Sequence, residues 1–334
     1  MELLNYFDPS VSSLIQGYWD EIYDFPLELV HIYKGYDLNI NFKYLTMLYH
    51  YNNGDIKYPI EFLYSEATKH LNVMTTRLKT LRLSFYTGSL DFLIGSNLEE
   101  LKLDTYNGDI NVIKNISTLK ILILPSYKGD ISFLSNLNLK RLNLGILSGD
   151  LSVLSEMKNL ETLELPQCCS DIPNLTSLKR LSIGWLKDTL PNLEYLSVGI
   201  LSGNILSKEL EYLEIMSYLY IPIHLPKLKI LKLIGYYGCI NFSLFPKLEE
   251  LSLASCPIED IGLLENLRIL EINIFKKEDL KYLKRLKKLT HLHMGSYSKD
   301  ISGLKDIPSL KEVSVNSFSG NREDYHFNIL TYHS

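Results

Sequence analysis

The chain has 334 residues, 46% of them apolar, a formal net charge of −5 and a pI near 5.9. That apolar share supports a large core and excludes a disordered chain. The acidic balance argues against a general nucleic-acid binder, which needs a basic surface, while leaving local basic patches open.

Residues 1–26 carry Leu14, Ile15, Tyr18, Trp19 and Ile22 at helical spacing, which predicts an amphipathic cap over a first coil. No basic run followed by an apolar stretch opens the chain, so no export signal is expected. Apolar runs are broken throughout by Lys, Glu, Asp or Asn, short of the ~20 residues a membrane helix needs, so membrane insertion is not expected either. The cysteines Cys168, Cys169, Cys239 and Cys256 lack metal-ligand spacing, and a cytoplasmic protein with reduced thiols is the expectation.

Between 27 and 77 the signal is degenerate. Leu27, Val30 and Ile32 have the spacing of an early repeat unit, and Asn53-Gly54-Asp55-Ile56 with Ile60-x-x-Leu63 suggests another. The run Pro26-x-Glu28-Leu29-Val30 also loosely resembles the start of an F-box. That resemblance implies a helical bundle across 10–50 and a substrate-recognition subunit of a ubiquitin ligase, as an alternative to a repeat cap.

From Leu78 the pattern is clear. Units of the form L-x-x-L-x-L begin at Leu78, Leu98, Leu119, Leu139, Leu160, Leu178, Leu193, Leu210, Leu228, Leu248, Leu267, Leu289 and Leu310, at spacings of 15 to 22 residues. Positions 4 and 6 alternate with polar position 5, which predicts a strand with 4 and 6 inward and 3 and 5 outward. The downstream half, as in Ile131-x-x-Leu134-x-x-Leu137, has helix-like spacing. Thirteen recurrences over roughly three quarters of the chain resemble the leucine-rich repeat family. The resemblance implies an α/β solenoid, a horseshoe or arc over 27–318 with a concave parallel sheet. Short helices, 3-10 turns or extended segments would line its convex side, and residues 319–334 would close the end. The unit at Leu178, only 15 residues long, leaves little room for a return helix.

Two columns depart from plain leucine stacking. Position 9, where the family usually has Asn or Cys, reads Tyr86, Tyr106, Tyr127, Leu147, Cys168, Leu186, Leu201, Tyr218, Tyr236, Cys256, Phe275, Tyr297 and Phe318. An aromatic or aliphatic spine is predicted there, with each tyrosine hydroxyl needing a partner or the surface. An acidic column, Asp55, Asp109, Asp130, Asp150, Asp171, Asp260, Asp279 and Asp300, precedes the return legs and predicts caps rather than calcium ligands.

Function in such a scaffold is expected on outward strand positions. Position 2 alternates in sign along much of the array and predicts a ladder of exposed ion pairs. Mid-array the outward positions turn apolar: Tyr195, Tyr212 and Ile230 at position 3, with Trp185, Ile200, Met216 and Ile234 at positions 7 and 8. This set is the candidate protein-binding surface, unless a cap, a loop or a second copy covers it. His291 and His293 on one strand, beside Glu312 and Glu271, sketch a metal or acid–base site, but solvated or salt-bridged histidines fit better. The expectation is a non-catalytic protein-interaction scaffold with a protein partner, no cofactor and no nucleic acid, homo-oligomerisation remaining open.

Overall fold

The computed structural model describes the backbone of residues 29–32, 47–50 and 54–56. From 60 to 332 it describes all residues but 146–149, 188, 204, 218–223, 236–238, 256, 275–276, 298–299 and 319. The chain divides into two compact units, Met1–Leu160 and Glu161–Ser334.

Each L-x-x-L-x-L run becomes one short strand, because a pleated backbone puts positions 4 and 6 on one side and 3 and 5 on the other. In the first unit the described strands are β1 (Leu29–Ile32), β2 (Met47–His50), β3 (Gly54–Ile56), β4 (Phe62–Ser65), β5 (Leu71–Val73), β6 (Thr80–Leu83), β7 (Glu100–Leu103), β8 (Ile121–Leu124) and β9 (Arg141–Leu144). All but β3 and β5 form one parallel sheet in chain order. β3 pairs with β5 on the return legs. The second unit continues with β10 (Thr162–Leu165), β11 (Arg180–Leu186), β12 (Tyr195–Leu201), β13 (Tyr212–Ser217), β14 (Ile230–Leu233), β15 (Glu250–Leu253), β16 (Ile269–Ile272), β17 (His291–Met294), β18 (Glu312–Val315) and β19 (Asn328–Thr331), again parallel and in chain order.

Equal repeat positions pair, so Leu81, Leu101, Leu122 and Leu142 stand in one row of the first unit. Leu163, Leu181, Leu196, Leu213, Leu231, Leu251, Leu270 and Leu292 do the same in the second. All are buried, each covered by its neighbours along the stack. Burying such a side chain contributes about 1.5–3 kcal/mol, and no coil supplies that cover alone.

The return legs carry short 3-10 turns, such as Asn111–Asn115, Ser132–Asn136, Ser152–Glu156 and Ser302–Asp306. One α-turn, Leu280–Leu283, sits in the longest coil. The coils beginning at Leu178 and Leu193 have no helical turn among their described residues. Their strands lengthen instead, β11 and β12 reaching seven residues each. There the chain packs so closely that a side chain at Gly199 would run into the Gly184 carbonyl.

Parallel pairing from Leu29↔Met47 to Ile32↔His50 puts strands where the F-box-like reading requires helices, and that reading is set aside. The proposed cap over 1–26 lies outside the described residues. At the other end the tail contributes β19, paired in register with β18.

Four of the column aspartates cap as their spacing suggests. Asp109, Asp130, Asp150 and Asp300 each accept a hydrogen bond from the backbone N–H two residues on, at 2.8–3.2 Å. The serine hydroxyls of Ser132 and Ser152, then those backbone bonds, hold the carboxyls of Asp130 and Asp150 below the usual carboxylate range, and the backbone bond, then the Ser302 hydroxyl, does the same for Asp300. Asp260 and Asp279 begin turns without a side-chain cap.

The tyrosines of position 9 solve their hydroxyl problem locally. Tyr86, Tyr106, Tyr127 and Tyr297 are buried, and each hydroxyl donates to the carbonyl three residues on, at 2.8–3.0 Å. Tyr106 also reaches the Gly88 carbonyl of the preceding coil at 3.2 Å, and its ring stacks on Tyr86 at 6.4 Å. Burial pushes the Tyr106 hydroxyl pKa up to about 12. The ring folds back over Gly108, where a Cβ would lie 2.6 Å from the hydroxyl oxygen. Gly108→Ala is therefore expected to cost about 1–3 kcal/mol in urea unfolding, since ring and methyl cannot both be accommodated. Gly303→Ala, whose methyl would lie 3.8 Å from Leu280, should change stability by less than about 1 kcal/mol.

Candidate interaction surface

The outward row at position 3 of the second unit runs Arg180, Tyr195, Tyr212, Ile230, Glu250 on adjacent strands. Neighbours about 4.8 Å apart bring planar side chains into face contact. Tyr195 and Tyr212 stack with ring centroids 4.2 Å apart and planes 11° from parallel. The Arg180 guanidinium lies 4.1 Å from the centroid of the Tyr195 ring on its other side. Lys232 places its amine 5.9 Å from the Tyr212 ring.

At position 5 the Glu214 carboxylate accepts from the Tyr212 hydroxyl at 2.9 Å and from Ser197 Oγ at 3.1 Å. Burial, then this bond to Glu214, raises the Tyr212 pKa well above the ordinary phenol range, so the hydroxyl remains a donor at neutral pH. The two tyrosines form a half-buried, cation-flanked pair whose ring edges face out. Beside it Thr162, Leu163, Glu164, Arg180, Leu181, Ser182 and Tyr195 line an open depression of mixed polar and apolar character.

The candidate residues fall into two groups. Tyr195, Tyr212 and Ile230 are register neighbours. Trp185, Ile200, Met216 and Ile234 lie four or five residues further along, about 13–17 Å at ~3.3 Å per residue, with Ile234 just past the end of β14. Trp185 pairs with Ile200 in register and is half-buried. Ile200, Met216 and Ile234 are 51%, 55% and 49% exposed, and Ile274 on a later coil is 51% exposed. Ile200 pairs with Ser217 rather than Met216, so the strand-end group is not one register row. In the first unit Ile121 and Ile123 are half-buried and form no comparable patch.

Arg180, Glu214 and Lys232 were not singled out from the sequence. The same alignment carries them, at position 3 of the preceding unit and position 5 of the same units, but their roles depend on rotamers that alignment does not specify.

No protein-family model matches the chain, and no curated protein matches it. Among solved structures, an internalin of Listeria monocytogenes is similar at TM-score 0.57 and 22% identity, over 73% of this chain and 82% of that one. A leucine-rich-repeat protein of Leptospira interrogans is similar at TM-score 0.52 and 17% identity, over 80% and 89%. The chain has the leucine-rich-repeat fold.

Within that fold the position-2 charges pair across coils, Lys120 with Glu99 at 2.6 Å, Lys229 with Glu211 at 2.8 Å and Lys179 with Glu194 at 3.6 Å. All are exposed, so each contributes about 0–1 kcal/mol and supports register and solubility. The repeat register does place Glu271 beside His293 and Glu312 beside His291. His291 Nδ1 lies 2.9 Å from Thr290 Oγ1, and the His293 ring meets Tyr332 edge-on at 5.4 Å. Among the described residues no group of three or more His, Cys, Asp or Glu is placed to hold a metal.

The stacked row is testable by a double-mutant cycle of Arg180→Gln and Tyr195→Leu. A coupling of about 0.5–1 kcal/mol is expected from urea unfolding of the four proteins.

Proposed function

We propose that this leucine-rich-repeat chain is a non-catalytic scaffold that binds a protein partner on the outward sheet face of its second unit. The observation carrying the reading is the Tyr195–Tyr212–Ile230 row, with exposed Met216 further along β13 and exposed Ile234 just past β14. Tyrosines already stacked lose little freedom on binding, and aromatic anchors ringed by polar groups dominate the energetics of protein interfaces. Arg180, Lys232 and Glu214 supply such a rim. Membership of the fold supports the reading in general terms, because a stack of coils offers an extended surface rather than an enclosed catalytic cleft. A cytoplasmic location belongs to the same proposal, supported by the adjacent thiols of Cys168 and Cys169.

A photo-crosslinking residue at Ile230 or Met216, in the native host, should capture a distinct protein, whereas one at exposed Glu156 on a return leg of the first unit should not. Tyr195→Ser/Tyr212→Ser should lower recovery of that protein at least ~10-fold, the range of a lost hot spot. Unchanged recovery, or crosslinks only to a second copy of the chain, would overturn the reading.

A further inference from the structure

A dense run of cations lies on a return leg. The coil from Leu267 to Lys288 is the longest in the array, 22 residues, and contains the sequence KKEDLKYLKRLKK at 276–288. Those thirteen residues hold seven of the 34 Lys and Arg but two of the 39 Asp and Glu. Their net charge is +5, so the rest of the chain stands at −10.

The backbone arranges this charge on one side. A 3-10 turn at Lys277–Asp279 leads into the α-turn Leu280–Leu283. Leu280, Leu283 and Leu286 are buried, which leaves Lys277, Lys281, Lys284, Arg285, Lys287 and Lys288 exposed. Lys277, Lys281 and Lys284, with the one carboxylate of Glu278, border an open depression floored by Leu280 and Gly303.

Few of these cations are neutralised. Lys284 pairs with Asp306 at 2.6 Å and Lys277 with Asp300 at 3.6 Å. Lys281 lies 4.7 Å from the Tyr282 ring centroid, the Arg285 guanidinium 5.9 Å from it, and Lys288 donates to the Asn266 side chain. Among the described residues Lys281, Arg285, Lys287 and Lys288 have no carboxylate partner, unlike the paired position-2 lysines Lys120, Lys179 and Lys229. Lys305 on the next coil, 4.7 Å from the Tyr325 ring, extends the patch.

We propose that this face docks an acidic segment of a partner protein, a short run rich in Asp and Glu. The dimensions and borders select that partner. The basic surface is about one coil wide, includes Glu278 and Asp279 at its start, and is bordered by exposed Glu259, Asp260, Glu265, Asp300 and Asp306. A continuous anionic surface, whether membrane or nucleic-acid backbone, would press phosphates against those carboxylates, whereas a short acidic peptide fits between them. The half-buried Tyr282 ring gives such a peptide apolar footing beside the charges. The site is separate from the outward tyrosine row and does not depend on it.

The test uses the full chain and three probes: a fluorescent twelve-residue peptide alternating Glu and Asp with Gly and Ser, vesicles containing phosphatidylserine, and a single-stranded oligonucleotide of equal charge. The peptide should bind at low salt and lose affinity at least ~10-fold between 50 and 300 mM NaCl, as screening shortens the reach of each charge. Lys281→Gln/Arg285→Gln/Lys287→Gln/Lys288→Gln should weaken it at least ~10-fold with an unchanged circular dichroism spectrum. Lys287→Gln/Lys288→Gln, confined to two exposed side chains, should give an intermediate loss and guards against misfolding of the larger variant. Changing Tyr195 and Tyr212 to Ser should leave peptide binding as it was. No peptide binding, binding unaffected by either glutamine variant, or tighter binding to vesicles or oligonucleotide than to peptide would overturn the proposal.

Discussion

A coil of 15 to 22 residues encloses too little volume to bury its own leucines, and every other feature of this chain follows from that deficit. Leu181, Leu196 and Leu213 are buried because identical positions of successive coils lie in register, each capping the next. Register is therefore strongly specified: a one-residue slip would turn the leucine row outward and the tyrosine and charge rows inward. The same constraint fixes outward spacing near 4.8 Å, close to a stacking distance for planar side chains. Tyr195 and Tyr212 take advantage of it.

Because the strand pattern is obligatory, adaptation falls on what lies between strands. Coil length is absorbed there. The short coils show no helical turn among their described residues and lengthen β11 and β12, while the longest has an α-turn at Leu280–Leu283. Position 9 adapts too. A tyrosine that reaches its own turn three residues on takes the place of a side-chain amide ladder, and a glycine such as Gly108 makes the room. Local hydrogen bonds of this kind let each turn close without help from distant residues.

Strand positions and register were legible in the sequence because a period of two over a fixed repeat leaves no freedom in which side faces in. The aspartate caps at Asp109, Asp130, Asp150 and Asp300 were legible for a similar reason, since capping needs only a carboxylate at a set distance from a turn. Less could be read at the surface. The sequence marked Tyr195 and Tyr212 as outward and apolar, but not that Arg180 lies over one ring and Glu214 takes the hydroxyl of the other. Those contacts depend on rotamers of long side chains, chosen by three neighbouring strands at once. The alignment marked Trp185 and Ile200 as well, but not that their strands outrun the motif and pair the two in register.

The central claim is that each coil is stabilised by the coils beside it, and hydrogen exchange tests it directly. Leu251, fully covered by Leu231 and Leu270 in register, is the place to weaken the stack. Leu251→Ala should cost about 2–5 kcal/mol locally, and exchange of strand amides should rise in β14, β15 and β16 while β11 and β18 keep their protection, as a nearest-neighbour array requires. Uniform acceleration across all strands of the second unit would contradict the account, as would acceleration confined to β15 alone.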